Sequence, residues 1–318
     1  MRIKMVTNIK AILFGVEENV IGKLNIGNDY CVTRDTMMNR ELWREFDYTD
    51  FGIRRVYEEA KVNNHLDVAI LEKSIIQDID NADIIVGKGI FINGKMIDEY
   101  VNNMENQEMN YSDVKMRLIR LYSESGFNIK ELLINTEVKM EDGNHFNYNN
   151  KVPFPDRIYG DLKKLSLITK EETESINRFL CDGETIFDNS KFDTKLLKNS
   201  WFLYEQSLWS PVVTLRYMTC VIGIEGLLVD GNTELTYRLS RNCAMLLSDN
   251  VNDYKDLFSK MKKIYKKRSE YVHNGFLKEL DEKEVTHVRK ILREVIFKII
   301  EKNISKDQLL EELDIKGY

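Results

Sequence analysis

The strongest constraint on what this chain can fold into is the stretch from Asp253 to Gly275, DYKDLFSKMKKIYKKRSEYVHNG. Its apolar residues Tyr254, Leu257, Phe258, Met261, Ile264, Tyr265, Tyr271 and Val272 recur with helical spacing and draw one stripe along a long amphipathic helix. Extending the heptad series from Tyr254 through Met261 lands on Arg268, where the stripe calls for an apolar side chain. A guanidinium facing a helix interface is costly unless it is paired, or unless the interface opens onto an anion. His273 follows in the last turn, and Asn274-Gly275 is a left-handed C-cap signal. There the negative end of the helix dipole favours a protonated imidazole. A fixed cation beside a proton-exchanging group is what metal-free phosphodiester cleavage requires: charge stabilisation at the phosphorane and general acid–base work. On a straight helix this spacing sets the two side chains roughly 140° apart. They converge only if the helix frays near Tyr271 or if a second subunit completes the site. A buried ion pair and a capping histidine explain the same two residues in structural terms alone.

A length of 318 residues fits two domains, each large enough for its own core. The longest apolar runs, Ala11–Val16 and Val221–Ile224, are too short to span a bilayer. The N-terminus lacks the h-region and cleavage site of a signal peptide. Cys31, Cys181, Cys220 and Cys243 are scattered without paired spacing, which fits reduced thiols in a cytoplasm better than a disulfide framework or a zinc site. The net charge of −6 argues against a general nucleic-acid binder, but it is unevenly spread. From Leu196 onward there are 20 Lys+Arg against 18 Asp+Glu, leaving 26 against 34 before it. Lys260, Lys262, Lys263, Lys266, Lys267 and Arg268 crowd one short run. Such a run is commonly a solvated helix face. Directly before the Arg268–His273 pair, it is also placed to steer a phosphate backbone.

Residues 1 to about 35 read as strands over Lys10–Val16, Val20–Ile26 and Tyr30–Thr33, separated by turns. Asp35 or Thr36 can cap a helix, and Phe51–Ile79 has no decisive pattern. Strands are expected around Ile84–Ile97, a helix over Asn110–Ser125 and a strand over Leu132–Met140. Gly87-Lys-Gly and Gly94-Lys lack the spacing of a phosphate loop. Glu137-Val-Lys139 resembles the end of a metal-dependent nuclease site, but no upstream Asp clearly pairs with it. His65 and His145 sit in polar surroundings and read as surface histidines. Two of the three prolines fall in Lys151–Arg157, which places a domain boundary nearby and divides the chain into residues 1–160 and 161–318.

Beyond that boundary the pattern is helical. Helices are expected over Thr169–Leu180, ended by Cys181-Asp-Gly; over Phe192–Trp209; and over Pro211–Val229, which is apolar around its circumference and so expected to be the central buried helix. Further helices follow over Thr233–Ser248, Glu282–Asn303 (with His287 on a mixed face) and Ser305–Leu313. Glu225 lies in the apolar helix and needs a cation, for which Arg238 and Arg268 are the candidates. Its expected task is to hold an arginine in place.

Three segments, Ile224-Glu-Gly-Leu-Leu228, Thr236-Tyr-Arg-Leu239 and Tyr265-Lys-Lys-Arg-Ser-Glu-Tyr-Val-His-Asn-Gly275, resemble in order and spacing the Apea-like HEPN domain over roughly residues 165–305. The pattern of the first half reads as an α+β N-terminal domain, and the resemblance implies that it is followed by an all-α HEPN bundle, which dimerises so that two R-x4-6-H elements face one cleft. A composite site of that kind would answer the 140° separation. Active members are metal-independent endoribonucleases, often in toxin or anti-phage defence roles. Carried over, Arg268 would stabilise the scissile phosphate and His273 would move the proton of the 2′-hydroxyl or the leaving 5′-oxygen. Glu225, Arg238, Ser269, Tyr271 and Asn274 would support the site, and Lys262, Lys263, Lys266 and Lys267 would contact the RNA backbone. Ser269 stands where many toxin members carry Asn, Asp or His, a departure common in the Apea-like branch. The expectation is therefore a cytoplasmic homodimer acting on RNA such as tRNA or mRNA, with a possible defence-system partner, no metal, no cofactor and no membrane. A non-catalytic HEPN dimerisation or binding module is the alternative.

Overall fold

A computed structural model describes residues 2–14, 16–36, 67–80, 84–86, 90–92, 95–124, 127–129, 131–153, 168–187, 189–231, 233–275 and 280–315. Residues 37–66, which hold the body of the expected helix, the first part of the segment from Phe51 and His65, lie outside them, as do Gly87-Lys-Gly, Gly94 and most of the proline-containing boundary; Asp35 and Thr36, expected as helix caps, end a strand instead. Two compact units emerge. One takes in Met1–Asp156 and Leu162–Cys181; the other takes in the chain from Asp182 onward. The helix beginning at Lys170 thus belongs, up to Cys181, with the N-terminal unit.

The N-terminal unit is built on an antiparallel sheet in the order β2-β3-β1-β8-β9. Its strands are β1 (Ile3–Phe14), β2 (Cys31–Thr36), β3 (Asp67–Ile79), β8 (Glu131–Met140) and β9 (His145–Pro153). Three short strands, β4 (Ile84–Val86), β5 (Ile90–Ile92) and β6 (Lys95–Met96), form a second sheet, and β7 (Asn128–Ile129) pairs the end of β1. Strand β1 alternates as a one-faced strand should: Ile3, Met5, Thr7, Ile9 and Ala11 are all buried. The one polar member of that row is satisfied, because Thr7 and Thr136 stand opposite each other in the register and their hydroxyls bond at 2.9 Å. Val20–Ile26 is not a strand. Val20, Leu24 and Ile26 are buried, but they reach the core from turns, with Gly22 at φ 77° donating its N–H to the Val32 carbonyl.

Helix α1 (Ile97–Ser123) starts well before the predicted Asn110. Near its start Ile97 packs with Ile3, Met5, Val138 and Met140. Further along, its inner face carries charge, and each charge finds a partner. Lys73 donates to Glu108 at 2.7 Å, with both side chains less than a tenth exposed. The Tyr30 hydroxyl donates to the same carboxylate at 2.8 Å, and burial pushes that phenol far above its ordinary range, so it remains a donor. Asn150 donates to Glu105, Lys115 to the Leu180 carbonyl and Arg120 to the Phe127 carbonyl. Glu137 and Lys139, flagged as a nuclease-like tripeptide, pair with each other at 2.9 Å on β8.

Helix α2 (Lys170–Ile186) begins with a reciprocal capping box. The Glu172 N–H donates to the Thr169 hydroxyl, and the Thr169 N–H donates to the Glu172 carboxylate. It runs through Cys181-Asp-Gly rather than ending there.

In the second unit every described element is a helix: α3 (Thr194–Trp209), α4 (Val213–Leu228), α5 (Leu235–Leu247), α6 (Val251–Asn274), α7 (Glu282–Lys302) and α8 (Lys306–Ile315). Asp193, Asn250 and Asp281 cap α3, α6 and α7 through side-chain oxygens that accept first-turn N–H groups. The sequence Ser305-x-x-Gln308 closes a second capping box on α8. Helices α3, α4 and α7 pack together and α5 pairs with α6. Helices α4 and α7 approach closely at Gly223, where an added Cβ would stand 3.0 Å from the Leu292 methyls. Gly223→Ala is therefore expected to cost about 1–3 kcal/mol, read from the urea midpoint by the fluorescence of Trp201 and Trp209.

Helix α4 is not buried all round. Tyr217, Val221, Ile224 and Leu228 point into the bundle, but Leu215 and Ile222, seven residues apart on one face, are 46% and 44% exposed. That face has no cover among the described residues of the second unit.

Candidate functional site

Helices α4 and α6 position the candidate site. The Tyr217 hydroxyl donates to the Ile264 carbonyl at 3.1 Å and fixes the two helices against each other. Met261, Ile264 and Tyr265 are the buried part of the α6 stripe, while Tyr254, Leu257, Phe258 and Tyr271 are half-buried and Val272 is exposed.

Arg268 continues that stripe toward α4, where its Nη2 lies 3.3 Å from Oε2 of Glu225. Each side chain keeps about a quarter of its surface (24% and 23%), so the pair sits at the edge of the packed core. The choice of cation for Glu225 is thereby settled. Arg238 donates instead to the Asp230 carbonyl, at the link between α4 and α5, and does not join Glu225. The Arg268 guanidinium also stands over the Tyr265 ring, 5.4 Å from its centroid. Burial and the Glu225 carboxylate push the Tyr265 phenol up, against a smaller opposing pull from Arg268. Nε of Arg268 and Oε2 of Glu225 are both buried without a hydrogen-bond partner among the described residues, so the two are joined by charge and not by an aligned hydrogen bond. A guanidinium held on one side by a carboxylate and an aromatic face, with about a quarter of its side chain still open to solvent, can take a further acceptor on its exposed side.

His273 is exposed in the last turn of α6, which ends at Gly275 in the left-handed conformation (φ 77°) with its N–H on the Tyr271 carbonyl. The helix does not fray at Tyr271. Arg268 and His273 therefore leave a continuous helix on different faces, and one chain does not converge them. Ser269 and Tyr271 are half-buried beside Arg268, and Asn274 is exposed beside His273.

Of the candidate backbone-binding lysines, Lys262, Lys263 and Lys266 are exposed, with Lys262 5.6 Å over the Phe258 ring and Lys266 3.8 Å from Glu270. Lys267 is tied to Glu284 of α7. Across from the basic run, burial and the nearby Lys260 charge push the His287 imidazole down. The residue that sequence reasoning missed is Tyr265. It was read as one more core position, although an aromatic one turn before an arginine is a legible signal for ring stacking.

Among the described residues no three His, Cys, Asp or Glu side chains gather as a metal-binding group would, and no helix is long and apolar enough to cross a membrane. No family model matches the chain, and no curated protein or solved structure matches it either.

Proposed function

We propose that the chain is a metal-independent endoribonuclease of HEPN type, working in the cytoplasm in defence or stress response. The observation that carries this reading is Arg268: a guanidinium in an apolar helix stripe, oriented by Glu225 and Tyr265, with about a quarter of its side chain open to solvent. A scissile phosphate is the acceptor this arrangement suits. Arg268 stabilises the phosphorane, and His273 takes the proton of the attacking 2′-hydroxyl or returns one to the leaving 5′-oxygen. The products are a 2′,3′-cyclic phosphate and a 5′-hydroxyl, and DNA is not cut. Exposed Lys262, Lys263 and Lys266 supply the cationic approach to an RNA backbone, a tRNA or mRNA among the candidates.

Because a continuous α6 separates Arg268 from His273, the working unit on this reading is a homodimer in which each cleft draws on both copies. The uncovered apolar residues Leu215 and Ile222 on α4 and Val272 on α6 supply the surface for a second copy. The N-terminal unit senses a trigger or restrains the nuclease, and a defence-system partner is part of the same proposal.

The ion pair itself favours a second reading, a non-catalytic HEPN module in which Arg268–Glu225 only holds α6 to α4. Stability separates the two. On the catalytic reading Arg268→Ala removes a pair with a quarter of its surface in water, at a cost of about 1 kcal/mol or less. A loss of about 3–5 kcal/mol, the cost of stranding a buried charge, would assign the pair to structure. The urea midpoint reported by Trp201 and Trp209 decides.

A further inference from the structure

We propose that the N-terminal unit carries a binding pocket for an uncharged nucleoside, set between helix α1 and the outer edge of strand β3. The cavity there measures about 520 Å³, within the range of roughly 300–1,000 Å³ of small-ligand sites. The register of the sheet accounts for it. Strand β2 pairs with β3 only as far as Cys31 opposite Glu72, whereas β3 continues to Ile79 along β1. From Lys73 onward the outer edge of β3 has no strand partner among the described residues, so alternate backbone N–H and C=O groups face the cavity side. The Asn28–Asp29 turn, with both residues at positive φ (51° and 61°), closes one end.

The lining specifies the ligand class. Gln77, Asn103 and Gln107 bring three side-chain amides, each offering a donor and an acceptor. Paired donor–acceptor edges are what a nucleobase presents. The apolar part of the lining suits the face of a flat ring. Met104 contributes a thioether, which packs well on an aromatic ring, and half-buried Ile75 lies on the same face of β3 as Lys73. A polyol would gain little from those two side chains.

Charge disfavours a phosphorylated ligand. Among the described lining residues the cation Lys73 is spent on Glu108 at 2.7 Å and Asp29 adds a further carboxylate, so these residues are negative on balance. A nucleotide phosphate would meet repulsion there.

Isothermal titration of the full chain with adenosine, guanosine, cytidine and uridine, each beside its 5′-monophosphate, tests the assignment. At least one nucleoside is expected to bind, and its monophosphate about tenfold more weakly. Gln107→Leu and Asn103→Leu, exposed on α1, are each expected to weaken binding about tenfold while leaving the ligand-free melting temperature unchanged. No binding by any nucleoside, unchanged affinity in both variants, or tighter binding of a monophosphate would overturn the proposal. It does not rest on the nuclease reading: His273→Ala is expected to bind the nucleoside as wild type does, and loss of binding in that variant would move the ligand to the helical unit.

Discussion

Lys73→Ala is expected to destabilise the N-terminal unit by about 3–5 kcal/mol. The Glu108 carboxylate is then left inside the unit with hydrogen bonds from Tyr30 and Asn28 but no countercharge. Both side chains line the cavity wall but are less than a tenth exposed, so water offsets little of the stranded charge. The penalty is that of a stranded charge, not the net worth of the pair. The double variant Lys73→Met with Glu108→Gln keeps an acceptor for Tyr30 and removes both charges, so it is expected to recover most of the loss. Hydrogen exchange of the β1 and β3 amides, followed in the globally limited regime, reads the difference for this unit directly. A cost near zero for Lys73→Ala would mean that water in the cavity solvates Glu108 in the folded chain.

The second large effect concerns chemistry. His273→Ala is expected to slow RNA cleavage by roughly 10²–10⁴, the usual worth of a positioned general acid or base. Arg268→Ala is expected to cost roughly 10²–10³ through lost stabilisation of the phosphorane. The two residues act on one transition state, so the double variant should be little worse than the poorer single one. If each cleft is shared between two copies, an Arg268→Ala chain mixed with a His273→Ala chain is expected to regain part of the activity, because some mixed dimers hold one intact cleft. Recovery on mixing cannot come from a site contained in one chain.

The helical unit was legible residue by residue because its boundaries are written in side chains. Ser305 with Gln308 and the terminal Gly275 are local capping signals, and each sits at a helix end. The N-terminal unit was less legible because its signals conflict. Val20–Ile26 alternates like a strand, yet Gly22 turns it back toward Val32. The first turns of α1 follow the apolar run Ile90–Ile92 and carry asparagines at 102 and 103, so they look less helical than Asn110–Ser123. Strand β3 carries charged and apolar residues on both faces, because the pairing of Lys73 with Glu108 is tertiary. Glu225 posed the same kind of question. Its need for a cation followed from an apolar helix, but the choice of Arg268 over Arg238 depended on how α6 crosses α4, which no local pattern encodes.

The most direct test of the central claim is cleavage of mixed tRNA and mRNA in EDTA by wild type and by His273→Ala, with the ends of the products mapped. The account predicts cutting by wild type alone, leaving 2′,3′-cyclic phosphates. Equal cutting by His273→Ala, 3′-hydroxyl ends, or silence of wild type on every RNA offered would contradict it.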